Sequence, residues 1–120
     1  MENKRKTALI LGATGLVGNE LVKILIQQKI YEKIHLLVRR PIVSNDPSCE
    51  VHVVDFEQLH TYPEIFQVTD VFCCLGTTIK KAKSKEAFRK VDYEFPVEAA
   101  KIAKRSEVEK FLIITAMGSN

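Results

Sequence analysis

Long apolar runs are absent from this chain. Its longest are short and strand-like, so the sequence predicts no membrane span. The opening residues, Met1-Glu2-Asn3-Lys4-Arg5-Lys6, hold no apolar core of a secretion signal. Cysteine is scarce: Cys49, Cys73 and Cys74 are an odd set without a C-x-x-C pair. Adjacent residues in a strand point to opposite faces, so Cys73 and Cys74 argue against a local metal site. All three read as small buried hydrophobes, and the expected setting is a reducing cytoplasm. His35, His52 and His60 show no metal-ligand spacing and read as structural or surface groups, so no metal is expected. Net charge is only +3, too small by itself to argue for nucleic acid. Positive residues cluster at Lys4-Arg5-Lys6, at Arg39-Arg40 and from Lys80 to Lys90. No base-stacking aromatics interleave with Lys80, Lys81, Lys83 and Lys85, which weakens a nucleic-acid reading further. Those lysines read as a solvated loop, with a mobile lid over an anionic ligand as the functional alternative. Internal repeats, low-complexity tracts and linkers are also lacking.

What is present fits one globular domain. The chain has 120 residues, 46% of them hydrophobic. Strand and helix signals alternate. Strands are predicted at 7–11, 34–38, 51–54, 71–75 and 111–115. Helices are predicted at 16–28, about 59–66, from about Ser84, and through 98–105. The stretch from Pro41 to Ser48, with two prolines, Asn45 and Asp46, reads as loop. The strands are rich in Val, Ile and Leu with little polar alternation, which suits a parallel sheet covered on both faces. The expected fold class is therefore α/β, a doubly wound parallel sheet with five strands.

One turn in this order carries a ligand signal. Leu9-Ile10-Leu11 runs into Gly12-Ala13-Thr14-Gly15-Leu16-Val17-Gly18, with a strand before it and an amphipathic helix after it. Glycine accepts the positive φ of a sharp strand-to-helix turn. It also lets a phosphate approach backbone N–H groups, and the first helical turn offers unpaired donors and a partial positive charge. Gly18, one turn into the helix, lets helix and strand pack closely. Together these features predict a pyrophosphate cradle. A tight structural turn is the plain alternative.

In a doubly wound sheet ligands sit at the carboxyl ends of the strands, which marks further places. After the second strand an NAD binder usually offers Asp or Glu. This chain offers Arg39-Arg40, so Arg39 favours the 2′-phosphate of NADP over NAD, with Arg40 as helper; a solvated basic loop is the alternative. Asp55 follows the third strand and can bond the adenine amino group with Phe56 packing beside the ring, or serve as a strand-end turn acid. Leu75-Gly76-Thr77 ends the fourth strand. Gly76 lets backbone approach the middle of the cofactor and Thr77 can donate to it, or the three form a plain turn.

The motifs Gly12 to Gly18, Val38-Arg39-Arg40-Pro41, Val54-Asp55-Phe56 and Cys73-Cys74-Leu75-Gly76-Thr77-Thr78 resemble an atypical short-chain dehydrogenase/reductase. The resemblance is to the branch typified by the Tat-interacting protein oxidoreductase. Phe88 to Tyr93 and Phe111 to Gly118 continue it over nearly all of the chain. It implies a Rossmann fold and NADP(H) binding. Gly12, Thr14, Gly15, Leu16 and Val17 would lie at the pyrophosphate and Arg39 and Arg40 at the 2′-phosphate. Asp55-Phe56 would lie at adenine and Leu75-Gly76-Thr77 near the nicotinamide ribose. Asp92 falls where the family places a helix residue behind the cofactor; read by itself it is an ordinary helix acid.

The resemblance also implies hydride transfer between nicotinamide and a carbonyl or alcohol, on a small-molecule substrate the sequence does not name. The family's carbonyl-orienting hydroxyl maps to Thr115, with Ser119 second; the next position, often Ser in relatives, is Ala116. Its Tyr-x-x-x-Lys pair has no match: four residues after Tyr31, Tyr62 and Tyr93 stand His35, Phe66 and Val97. The expectation is that residues 1–120 are a cofactor domain, the N-terminal part of a longer protein, inactive alone and prone to self-association. A non-catalytic NADP(H) sensor and a nucleotide-sugar epimerase-like protein are the competing readings.

Overall fold

Two strands are apolar on both faces, and that decides the architecture. Ala8, Leu9, Ile10 and Leu11 are all buried, as are Asp70, Val71, Phe72 and Cys73. A strand with no solvent face must lie inside a sheet covered on both sides. The computed structural model describes residues 6–13, 15–44, 46–74 and 94–114. It contains strands β1 (Lys6–Leu11), β2 (Tyr31–Val38), β3 (Cys49–Val53), β4 (Asp70–Cys73) and β5 (Lys110–Ile113). They form one sheet in the order β3-β2-β1-β4-β5, and every pairing is parallel. The two apolar strands are neighbours at its centre.

Helix α1 (Leu16–Gln28) covers one face. Its Leu25, with Leu21, Val22 and Ile26, packs on Ala8, Ile10, Ile34, Leu36 and Phe72. Ile24, on the same helix, is half exposed. Helix α2 (Phe95–Arg105) and two short 3-10 turns cover the other face. There Ala99, Ile102, Ala103, Leu59 and Phe66 meet Leu9, Leu11, Leu37 and Val71. Burying one large side chain such as Phe66 stabilises the fold by about 1.5–3 kcal/mol. The expected doubly wound parallel sheet is the observed fold.

Several boundaries differ from expectation, each for a local reason. β2 begins at Tyr31 rather than 34, because Tyr31 and Lys33 pair with Lys6 and Thr7. The helix expected at 59–66 is replaced by 3-10 turns at Phe56–Thr61 and Pro63–Phe66. Between them Tyr62 leaves helical geometry (φ −122°, ψ 46°), and Pro63, without an N–H, opens the second turn. α2 starts at Phe95, three residues early, since Pro96 in a first turn forfeits no hydrogen bond. The helix expected from Ser84 and the residues 75, 114 and 115 of the expected strands fall partly outside the described residues: 75–93 and 115–120 are not among them.

Candidate dinucleotide site

The crest formed by the carboxyl ends of the strands starts with the glycine turn. Gly12 follows β1 with φ 85°, a left-handed geometry that a side chain resists. Its N–H donates to the Leu37 carbonyl at 3.4 Å, and its own carbonyl accepts from the Gly15 N–H at 3.2 Å. Gly18 is buried beneath the turn: a Cβ there would lie 2.1 Å from the Gly12 carbonyl oxygen. The fold itself therefore requires Gly12 and Gly18. Gly15 differs. It is exposed, its backbone is extended (φ −76°, ψ 171°), and a Cβ would sit 3.7 Å from the Gly12 oxygen, an ordinary contact. Among the described residues nothing demands glycine at 15.

The helix start above this turn suits an anion. No side chain caps α1, and its first turn has no acidic residue. Among the described residues the first bond into the helix is from the Asn19 N–H to the Gly15 carbonyl, 2.8 Å. The N–H groups before it lack helical acceptors and carry the positive end of the helix dipole. Val17 is partly buried on this turn; Thr14 and the side chain of Leu16 lie outside the described residues.

Arg39 and Arg40 come next along the crest. Both are exposed, directly after Val38, whose carbonyl accepts from the Val54 N–H at 2.9 Å. That bond draws the ends of β2 and β3 together. Among the described residues neither guanidinium has an ion-pair partner. Asp55 is exposed, and its Oδ1 accepts from the Glu57 N–H at 3.0 Å, capping the 3-10 turn.

The Phe56 ring is buried, 5% exposed, in the core cluster under α2, and meets Phe95 edge-on at 5.9 Å. Leu75, Gly76, Thr77, Asp92, Thr115 and Ser119 lie outside the described residues. The strands leading to the two strand-end groups are in place: Cys74 N–H donates to the Leu11 carbonyl and Ile114 N–H to the Cys73 carbonyl, each at 2.9 Å.

Away from the crest, the register creates a cluster that chain spacing does not announce. His35 pairs with Glu50, and Leu37 with His52. His35 Nδ1 stands 2.9 Å from His52 Nε2, which stands 3.5 Å from a Glu50 oxygen. Burial, then the His52 charge, holds His35 below the ordinary histidine pKa, against the opposing pull of Glu50. The two histidines are seventeen positions apart, so only knowledge of the parallel register could have found them.

A parallel sheet in this order, with a glycine turn feeding an uncapped helix where the strand order reverses between β1 and β4, defines a doubly wound dinucleotide-binding fold. The family model described as "NAD dependent epimerase/dehydratase family" matches residues 8–118. The chain belongs to that family. Protein HTATIP2 of Rattus norvegicus is 35% identical over 121 residues, covering 98% of this chain and 50% of the relative. Protein FMP52, mitochondrial, of Debaryomyces hansenii is 34% identical over 119 residues, covering 95% of this chain and 51% of the relative. The chain thus spans about half the length of these curated relatives.

Solved structures agree on the fold. Uronate dehydrogenase from Agrobacterium tumefaciens superposes with a TM-score of 0.76 at 15% identity, over 93% of this chain and 41% of that one. The Bordetella bronchiseptica enzyme WbmH in complex with NAD+ gives 0.74 at 13% identity, over 90% and 38%. The relatives also overturn one expectation. Fungal relatives from several yeasts are named mitochondrial, which points away from a plain cytoplasmic setting. Scarce cysteine does not separate one reducing compartment from another. Among the described residues no helix is long and apolar enough to cross a membrane.

Proposed function

We propose that residues 1–120 are the cofactor-binding part of an NADP(H)-dependent oxidoreductase. The observation that carries the NADP reading is the exposed, uncommitted Arg39 at the end of β2, where an acid would mark NAD. The backbone from Gly12 to Gly18, including Thr14, Leu16 and Val17, holds the pyrophosphate against the uncapped start of α1. Arg39, assisted by Arg40, pairs with the 2′-phosphate through a planar guanidinium. Asp55 accepts from the adenine edge, and the Phe56 backbone borders it. Leu75-Gly76-Thr77 lines the nicotinamide ribose. Thr115, or Ser119, orients a substrate carbonyl. A bound nicotinamide supplies the hydride chemistry between carbonyl and alcohol.

Titration with NADPH and NADH tests this reading. Arg39→Ala is expected to weaken NADPH by about 1.5–3 kcal/mol, the worth of a hydrogen bond to a charged group, and to spare NADH. Equal losses for both nucleotides overturn the 2′-phosphate assignment. One observation favours a second reading, with NAD as the cofactor: the family is described as NAD dependent, and the WbmH neighbour is a complex with NAD+. In that case the unaltered chain binds NADH at least as well as NADPH, and Arg39 is a solvated loop residue.

A further inference from the structure

A cluster of nitrogen and carboxylate donors lies on the face of the sheet opposite α1, toward the β3 edge. His35 on β2 and His52 and Glu50 on β3 project from the same face, because paired residues of parallel strands share a side. That face is the one on which Leu9 and Leu37 enter the core under α2. The histidines are half-buried and Glu50 is exposed, so the cluster is anchored by the core yet open to solvent. It plays no part in the crest.

The geometry points to a metal site: His35, His52 and Glu50 bind one divalent transition-metal ion of the zinc class. All three offer a donor atom, and those atoms lie within 4.8 Å of one another. A tetrahedral Zn2+ with bonds of about 2.0–2.1 Å sets its donors roughly 3.3 Å apart. The observed separations of 2.9 Å between the imidazole nitrogens and 3.5 Å from His52 to Glu50 lie on either side of that figure. The remaining separation, His35 to Glu50, lies within 4.8 Å, a span that rotation of the exposed Glu50 side chain can close. Two imidazoles with one carboxylate is a borderline donor set that suits Zn2+, with water as the fourth ligand.

The proton inventory also closes. With both rings neutral, one hydrogen lies between Nδ1 of His35 and Nε2 of His52, since two bare nitrogens or two N–H groups at 2.9 Å would repel. When the cation enters, that hydrogen moves to the far nitrogen of its own ring, and both facing nitrogens become ligands. Glu50 exchanges a long contact with Lys33, 3.9 Å, for the metal. Binding ties β2 to β3 by side chains as well as backbone, so it stabilises the sheet edge.

The untagged chain, freed of metal by dialysis against chelator, is titrated with Zn2+ in competition with a chromophoric chelator. One equivalent is expected to bind. His35→Gln and His52→Gln are each expected to weaken it at least about tenfold, the lower bound seen even when outer-shell partners are lost. His60→Gln, on an exposed turn, is expected to leave it unchanged. Should either core-side variant fail to fold by circular dichroism, Glu50→Gln, altered only at its exposed carboxylate, is expected to show the weakening alone. Substitution by Co2+ is expected to give a spectrum of nitrogen and oxygen ligation without thiolate charge transfer. No binding, binding unchanged by all three ligand variants, or a thiolate spectrum overturns the site.

Discussion

At the scale of single residues, the three glycines of the turn separate into two kinds. Gly12 needs its positive φ, and Gly18 has no room for a Cβ against the Gly12 carbonyl. Gly15 needs neither among the described residues, as expected of a position kept clear for the proposed dinucleotide. Substitution tests the difference. Gly18→Ala is expected to destabilise the fold by at least about 1–3 kcal/mol, the usual cost of forcing extra volume into a packed site. Gly15→Ala is expected to unfold at the parent's urea midpoint or slightly above it, because alanine narrows the unfolded ensemble. The same variant is expected to bind dinucleotide at least tenfold more weakly in a fluorescence titration. Unchanged affinity in a stable Gly15→Ala protein would return the turn to a purely structural role. Local chemistry of this kind is legible in sequence, because strand, turn and helix start are contiguous. The packing of the Phe56 ring is not legible in the same way, because its contact with Phe95 joins residues thirty-nine positions apart.

At the scale of elements, β1 and β4 were readable because burial on both faces writes an unbroken apolar run. β2 was readable only from Ile34, since its first residues, Tyr31, Glu32 and Lys33, owe their strand geometry to β1. Those residues hold the other end of the sheet together. The Tyr31 hydroxyl donates to Asp70 Oδ2 at 2.6 Å, joining β2 to β4 across the start of β1. Asp70 is 3% exposed, and among the described residues its Oδ1 has no partner. Tyr31→Phe keeps the edge-on contact with Phe72 at 6.2 Å and removes only the hydroxyl. It is expected to cost about 1.5–3 kcal/mol in urea unfolding, because a buried carboxylate loses its donor. Burial, and then the Asp70 carboxylate, raise the Tyr31 pKa above its ordinary 10.0. The folded chain thus keeps a proton that the unfolded chain releases from about pH 10 upward. The stabilisation is full below that pH and declines as pH rises toward the folded value, so the gap between parent and Tyr31→Phe is expected to narrow in alkali. A gap independent of alkaline pH would show that the hydroxyl is not held by Asp70.

At the scale of the whole molecule, the sheet is unevenly closed. α1 and α2 cover its centre, while β5 pairs only with β4 among the described residues. Leu112 and Ile113, on opposite faces of that strand, are 41% and 56% exposed. An edge strand with apolar residues on both faces offers unpaired N–H and C=O groups together with surface that favours burial, the combination that drives edge-to-edge pairing. Only Lys110, at the start of the strand, opposes it with charge. The chain also spans about half the length of its curated relatives. We therefore expect the 120-residue chain to self-associate. Sedimentation velocity over a wide concentration range is expected to show mass rising with concentration. Leu112→Lys with Ile113→Lys is expected to hold the chain monomeric, since charge on both faces of an edge strand penalises a second strand. The substitutions lie at exposed positions, so the urea midpoint should stay close to the parent's, within about 0.5 kcal/mol of stability. A parent that sediments as a clean monomer at every concentration would mean that β5 is protected, and that the open edge does not govern the behaviour of the chain in solution.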